Sequence, residues 1–537
     1  MVRPMYAGLT LGYWLTLHGF VTAVSVLLYA VTAHLRQQRR HPTAAIAWVL
    51  FILLMPYLAL PIFLTFGSRK LARPRGRPAL VARCFAGPDA TWAVRTLRAL
   101  GQGAPTTYRD LHVHADGRAA LGALWQTIDG AAESIDLCTF IIGRDAIGST
   151  LIECLCAKAR AGVRVRVLLD GLGSLMHSRP SLRPLRKAGA QFTLFVPPLH
   201  SPLKGRTNLR NHRKMLIADA AAPTARLWCG GRNLASEYFE GLPDQAPWHD
   251  LSFDLCGAAV RQTALLFEHD WAFAIGAARA KRACEAAERV ALDRSLKVPP
   301  IVPVRVPLAG PLGDPLADPL SDPLAGPVDA PLDARCILAA SASAAAAARA
   351  ATTPPRSVCT TSVQVVASGP DQADDTLYAL LLTAAYRARR HIAIVTPYFV
   401  PDTALLMALA MAARRGVVVD LLLPNRSNHP LSDMARRRGL RSLAGAGGRI
   451  WLAPHMQHAK LVVVDDSLAL AGSANLDSRS LFLNYEMMLA FHDPAAVALF
   501  AAWFKHERSQ AWHYAPQPPG FVADVADGLV LWLGFQL

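Results

Sequence analysis

The sequence predicts an α/β protein made of two similar lobes, a duplicated sheet-plus-helices unit, behind an N-terminal two-helix transmembrane hairpin. Three observations predict it. A motif H-x-K-x4-D occurs twice, at His212 to Asp219 and at His458 to Asp465. A matching alternation of helical and strand-like segments precedes each copy, as expected of a structural repeat. Two long uncharged apolar stretches open the chain. The expected boundaries are a hairpin over 1–70, a connector over 71–110, a first lobe over 111–285, a Pro/Ala-rich linker over 286–357, a second lobe over 358–515 and an apolar tail over 516–537.

The hairpin rests on Leu9 to Ala33 and Ala44 to Phe66, neither of which holds a Lys, Arg, Asp or Glu. Each is long enough for a hydrocarbon core of about 30 Å. A cleaved signal peptide is disfavoured, because the first apolar part is too long and a second follows at once. Pro56 and Pro61 are expected to kink the second helix. Arg36, Arg39 and Arg40 lie in the short connector, against Arg3, Arg69, Lys70, Arg73, Arg75 and Arg77 on the far side. The larger basic cluster predicts a cytoplasmic catalytic region.

In the first lobe, 119–132 reads as helix, 134–142 as strand, 148–161 as helix and 163–170 as strand. The second repeats the order with a helix over 375–388, a strand over 391–396, a helix over 403–414 and a strand over 417–423. The alternation predicts parallel sheets. Between the lobes proline recurs every fourth residue from Pro307 to Leu332, a density that excludes helix and central strand. The reading is an extended linker. The tail, ending in Leu529-Val530-Leu531-Trp532-Leu533, is too short to span a membrane and is expected either to dock on a lobe or to touch lipid.

The motifs carry the chemistry. On a strand His212 and Lys214 share a face, as do His458 and Lys460. Asp219 and Asp465 fall where the apolar runs Met215-Leu216-Ile217 and Leu461-Val462-Val463-Val464 end. Downstream, Gly472, Ser473 and Asn475 match Gly230, Gly231 and Asn233. Glycine would let a phosphate approach the backbone, while hydroxyl and amide groups offer neutral donors; Gly231, in place of a serine, could donate only from its backbone. Two histidines and two lysines suit phosphoryl or phosphatidyl transfer through a covalent intermediate. One imidazole attacks phosphorus and the other protonates the departing alkoxide, then takes a proton from the incoming alcohol. The lysines and asparagines would hold the charge on the phosphoryl oxygens. That scheme needs no cofactor and no metal.

With these motifs the chain resembles the phospholipase D superfamily, and within it the bacterial cardiolipin synthases. Further matching segments are Thr139-Phe140-Ile141-Ile142, Trp248-His249-Asp250, Gln364 to Asp371 and Thr396 to Asp402. The resemblance implies two phospholipase D-like lobes facing each other at one active site, with Asp250 and Glu486 orienting the histidines and His212 as nucleophile. It implies a phosphatidyltransferase of the bacterial inner membrane that joins two phosphatidylglycerol molecules. A phospholipase D using water or another alcohol is the rival reading, and a nuclease a weaker one, since a membrane hairpin does not suit a nucleic-acid substrate.

Composition fits an anionic lipid partner. The chain has 537 residues, 52% hydrophobic content and a net charge of +17, and basic residues near an anionic leaflet each contribute about 1 kcal/mol. Arginines cluster at 387–390, 414–415 and 436–438; solvated helix faces are the plainer explanation for them. Nine scattered cysteines form no C-x-x-C or zinc-like set, and His455 with His458 has no second ligand pair nearby in sequence. Oligomeric state is not legible.

Overall fold

The computed structural model describes residues 4–35, 42–66, 91–173, 180–196, 209–276, 361–372, 374–521 and 524–528. The linker expected over 286–357 lies outside the described residues.

The chain opens with α1 (Pro4–Leu35), α2 (Pro42–Leu54) and α3 (Pro56–Phe66), with α1 packed against both others. The second apolar stretch is therefore two helices where one kinked helix was expected. Proline has no N–H to continue a helix, so Pro56 restarts it at a first-turn position, and Pro61 stays inside α3. Tyr29, Ile52, Ala59 and Phe63 form the small core between them. Among the described residues no helix is long and apolar enough to cross a membrane. Tyr13, Trp14, Phe20, Ile46, Leu54 and Tyr57 are exposed.

After α4 (Trp92–Ala99) the first lobe runs β1 (Tyr108–Val113), α5 (Gly117–Gly130), β2 (Ser134–Thr139), α6 (Ala146–Arg160), β3 (Arg164–Leu169), α7 (Arg183–Lys187), β4 (Gln191–Leu194), β5 (Arg210–Asn211), β6 (Met215–Ala218), β7 (Arg226–Gly230), β8 (Ser252–Gly257) and α8 (Ala258–Ile275). The second runs β9 (Val363–Ser368), α9 (Thr376–Arg387), β10 (His391–Val395), β11 (Phe399–Val400), α10 (Thr403–Arg414), β12 (Val418–Pro424), α11 (Pro430–Gly445), β13 (Arg449–Ala453), β14 (Leu461–Val464), β15 (Leu468–Gly472), β16 (Leu476–Asp477), α12 (Ser478–Phe482), β17 (Asn484–Phe491), α13 (Pro494–Ser509) and β18 (Trp512–His513). Helix starts follow the capping rule: Asp116, Asp145, Asp402 and Asp493 accept from backbone N–H groups of the first turn.

The first sheet has the order β1-β8-β7-β6-β2-β3-β4, and the second contains the same order in β9-β17-β15-β14-β10-β12-β13. Only two of the six pairings in each order are parallel. Helix crossovers make β2, β3 and β4 parallel, whereas β6, β7 and β8 run antiparallel. Strand alternation divides the core. Met215 and Ile217 of β6, with Leu461 and Val463 of β14, enter one cluster shared by both lobes and by α8 and α13, while Leu216 and Val462 face each lobe's own helices. Burying a side chain of this size contributes about 1.5–3 kcal/mol, so the shared cluster stabilises the pairing of lobes that the site requires.

The arginines at 436–438 do not form a free basic patch. Arg436 is buried and donates to the carbonyls of Pro424 and Asn425. Arg437 and Arg438, with Arg441, pair with Asp524 and Asp527, which dock this part of the tail onto α11.

Candidate active site

Each H-x-K segment is the extended lead-in to a strand, β6 or β14, and not part of the strand itself. Its partner is the opposite lobe. Asn484 and Tyr485 pair in parallel with Arg210 and Asn211, and the N–H of His212 donates to the carbonyl of Tyr485 at 2.9 Å. On the other side His249 bridges Gln457, and the N–H of His458 donates to the carbonyl of His249 at 2.6 Å. The residue directly after each accepting carbonyl is the acid, which places it against the other lobe's imidazole. Nδ1 of His212 lies 3.0 Å from Glu486, and Nδ1 of His458 lies 2.6 Å from Asp250. Both acids are fully buried, so they exist to hold those rings.

Each carboxylate is kept ionised against the cost of burial by its histidine and by the site's lysines, and each sits below its ordinary pKa. The imidazoles respond the other way. Burial lowers the pKa of His212, with Glu486 opposing, and pushes that of His458 down to about 3, with Lys460 adding to the effect. Burial thus favours the neutral form of both rings. Lys214 and Lys460 are buried ammonium groups lowered by desolvation to about 8 and about 7. Lys214 Nζ donates to the carbonyl of His212 at 2.8 Å, and Lys460 Nζ contacts the ring and carbonyl of His458. Phe140 packs edge-on against His212, while Tyr238 and Trp248 wall His458. Two lysines, two imidazoles and two carboxylates thus share one buried, water-poor volume in which fixed charge counts for more than in solvent.

Several expected assignments change. Asp219 and Asp465 do not reach this site. Asp219 accepts from the N–H groups of Ala132, Glu133 and Ser134, and Asp465 from those of Arg389, Arg390 and His391. Both occupy left-handed backbone, φ 50° and 49°, and both tie a strand end to the start of its neighbour. The glycines make room for protein and not for phosphate. A Cβ on Gly231 would lie 2.2 Å from the Asp250 carboxylate, and one on Gly472 would lie 2.2 Å from the carbonyl of Met487. Gly231 N–H is already used by Leu251. Ser473 donates to Glu486 at 2.6 Å, so its hydroxyl fixes the acid. Asn233 donates to the Tyr238 hydroxyl at 2.7 Å. Asn233 and Asn475 are buried, and the amide oxygen of each has no partner among the described residues.

Sequence reasoning missed Arg213. Its guanidinium is fully buried and pairs with Asp270 of α8, while Nε reaches the carbonyl of Glu486 at 3.1 Å and another nitrogen reaches that of Ser368 at 3.3 Å. It therefore staples one lobe to the other directly behind His212. The signal was a charged residue at the inward-facing middle position of the first motif, where the second has Ala459.

A family model described as "Cardiolipin synthase, PLD-like domain" matches this chain twice, over residues 124–245 and 381–508, once per lobe. Both lobes are thus similar to the PLD-like domains of cardiolipin synthases. A second model, "Phospholipase_D-nuclease N-terminal", matches 21–68. Among relatives, cardiolipin synthase A of Pseudomonas entomophila is 28% identical over 517 residues, covering 92% of this chain and 90% of the relative. Cardiolipin synthase of Geobacillus kaustophilus is 28% identical, with 89% and 86% covered. The crystal structure of phosphatidylserine synthase from Haemophilus influenzae superposes with a TM-score of 0.54 at 15% identity, covering 83% of this chain and all of that one, which shows the shared fold. In this chain the exchanged carboxylates explain why two lobes are needed to build one site.

Proposed function

We propose that this chain is a membrane-anchored cardiolipin synthase, which transfers a phosphatidyl group from one phosphatidylglycerol to another and releases glycerol. The observation that carries the reading is the pair of imidazoles in one site, each with Nδ1 turned to a buried carboxylate, with Lys460 Nζ 3.1 Å from Nε2 of His458. Nε2 of His212 attacks phosphorus, and the bond to the glycerol oxygen breaks. His458 delivers a proton to that oxygen, and a phosphatidyl-histidine remains. The glycerol hydroxyl of a second phosphatidylglycerol then gives its proton to His458 and attacks phosphorus, which frees His212. Burial favours the neutral form of both imidazoles, and the charge of the bound phosphodiester raises one of them to its acid form. Lys214, Lys460, Asn233 and Asn475 hold the phosphoryl oxygens. Ser473, Glu486, Gly231 and Asp250 set the rings. No step uses a metal or cofactor.

The exposed aromatic and aliphatic side chains of α1–α3 are suited to lipid. In this reading the hairpin sits in the bacterial inner membrane as a multi-pass anchor, with α2 and α3 running on across Met55, and the lobes lie on the cytoplasmic side. Purified enzyme in vesicles should convert phosphatidylglycerol to cardiolipin with matching glycerol release. Phosphatidic acid as the dominant product would replace the synthase reading with a phospholipase D. Cysteine labelling from either side of sealed vesicles tests the orientation.

A further inference from the structure

Where the first lobe's His249 meets the second lobe there is a cluster that the two-histidine chemistry leaves unused. His249, His455 and Glu507 offer one ligand atom each, all within 4.8 Å of one another. Glu507 Oε2 lies 3.0 Å from Nδ1 of His249 and 3.7 Å from Nε2 of His455. These separations bracket ~3.3 Å, the edge of a tetrahedron with metal–ligand bonds of about 2.0–2.2 Å. The two rings stack with centroids 3.4 Å apart and planes 19° apart, and each has a nitrogen near the same carboxylate oxygen. Glu507 is buried, while the side chain of His249 is 34% exposed, which leaves one side open for an ion to enter. Gln457 donates to the same carboxylate at 2.8 Å and orients it, as residues behind a metal ligand do.

The lobe repeat shows what is missing there. In the first lobe Asn211 donates to Asp270 at 3.0 Å, as Gln457 does to Glu507. The Arg213 guanidinium supplies the positive charge that Asp270 needs. In the second lobe Ala459 stands at that position of the motif, and the carboxylate meets two imidazoles instead. A buried carboxylate requires a compensating cation, and two imidazoles with one carboxylate are the ligand types of a tetrahedral zinc-class site.

We propose that His249, His455 and Glu507 bind one divalent transition-metal ion of the zinc class, in the place that the Arg213 guanidinium takes in the other lobe. The fourth position belongs to water. The ion positions and does not react. His249 immediately precedes Asp250, its carbonyl accepts from His458 and its N–H donates to Met456 at 2.9 Å. Bound metal therefore clamps the strand carrying Asp250 to the segment carrying His458. The three ligands are positioning residues, and binding of the ion does not depend on which acceptor alcohol the enzyme uses.

The test uses the full chain in detergent, stripped with a chelator and dialysed against Zn2+ or Co2+. The expected result is one Zn2+ retained per chain, a rise in thermal unfolding temperature on adding Zn2+, and the intense visible absorption of four-coordinate Co2+. His455→Ala should lose all three. His249→Arg should also lose the metal and its absorption but keep the higher unfolding temperature without it, since a guanidinium beside Glu507 reproduces the arrangement of the first lobe. Because that variant restores a charge, it decides the matter even where His455→Ala fails to fold. No Zn2+ retained by the unaltered chain at micromolar free metal, or retention undiminished in both variants, overturns the proposal.

Discussion

Glu486 reaches from the second lobe to Nδ1 of His212 in the first, at 3.0 Å, and its own carboxylate is held by Ser473 at 2.6 Å. Asp250 does the same in reverse for His458. The charge of Glu486, and not only its shape, should matter, because an amide can offer its donor to the ring and stabilise the wrong tautomer. Glu486→Gln is expected to lower kcat by up to about 10⁴-fold, the loss known for an orienting carboxylate changed to an amide. Steady-state turnover at saturating phosphatidylglycerol checks it, with circular dichroism to establish that the fold persists.

Roles within the imidazole pair are separable by trapping. His212→Ala should abolish both turnover and any covalent phosphatidyl-enzyme. His458→Ala should abolish turnover with ordinary lipid yet retain labelling by a substrate whose leaving group needs no proton. Mass analysis of the intact chain reads the outcome; labelling that survives in His212→Ala and vanishes in His458→Ala reverses the two roles.

Asp219 sits outside the chemistry, and its substitution should show that. Hydrogen bonds to a charged group contribute about 1.5–3 kcal/mol each, and Asp219 accepts three from backbone. Asp219→Ala, which also places alanine at φ 50°, is expected to cost about 2–4 kcal/mol after partial compensation by water. Asp219→Asn should cost less, since asparagine tolerates left-handed backbone. Thermal unfolding and kcat per folded molecule separate the effects, with kcat expected to stay within a few-fold.

Lys214 sets a basic limit. Burial lowers its pKa to about 8, with the Glu486 and Asp250 carboxylates opposing. Below that pH the ammonium is charged and binds phosphate; above it the charge is lost. Lys460, lowered to about 7, loses its charge first and Lys214 follows, so kcat/KM, which reports the free enzyme, should fall as pH rises through about 7 to about 8. Stability runs the other way for this group. Its folded pKa lies below the unfolded value, so between the two the unfolded chain binds more protons, and stability rises with pH. Lys214→Arg should remove only the part of the basic limb near 8, because a guanidinium stays protonated, and leave the part near 7 that belongs to Lys460.

Arg213 tests the joint between lobes. Its removal leaves Asp270 buried without its cation, and breaking such a pair costs about 3–5 kcal/mol. Arg213→Met should lower the unfolding temperature sharply, while the double change Arg213→Met with Asp270→Leu should recover much of it. Recovery absent in the double variant would count against the ion pair as the cause.

What the sequence by itself determined is everything carried by local spacing. The paired H-x-K-x4-D motifs, the apolar runs behind them and the helix–strand alternation are short-range patterns. The strands over 134–139 and 391–395 and the helix over 403–414 therefore fall where periodicity puts them. What only the tertiary structure decided concerns residues far apart in the chain. The exchange of Asp250 and Glu486 between lobes, the Arg213–Asp270 staple and the meeting of His249 and His455 with Glu507 involve partners separated by tens to hundreds of positions, and no local period encodes them. The roles of Asp219, Ser473 and Gly231 were misread for the same reason. A carboxylate, a hydroxyl or a missing Cβ has the same sequence signature whether it faces phosphate or neighbouring backbone, and only packing decides which of the two stands beside it.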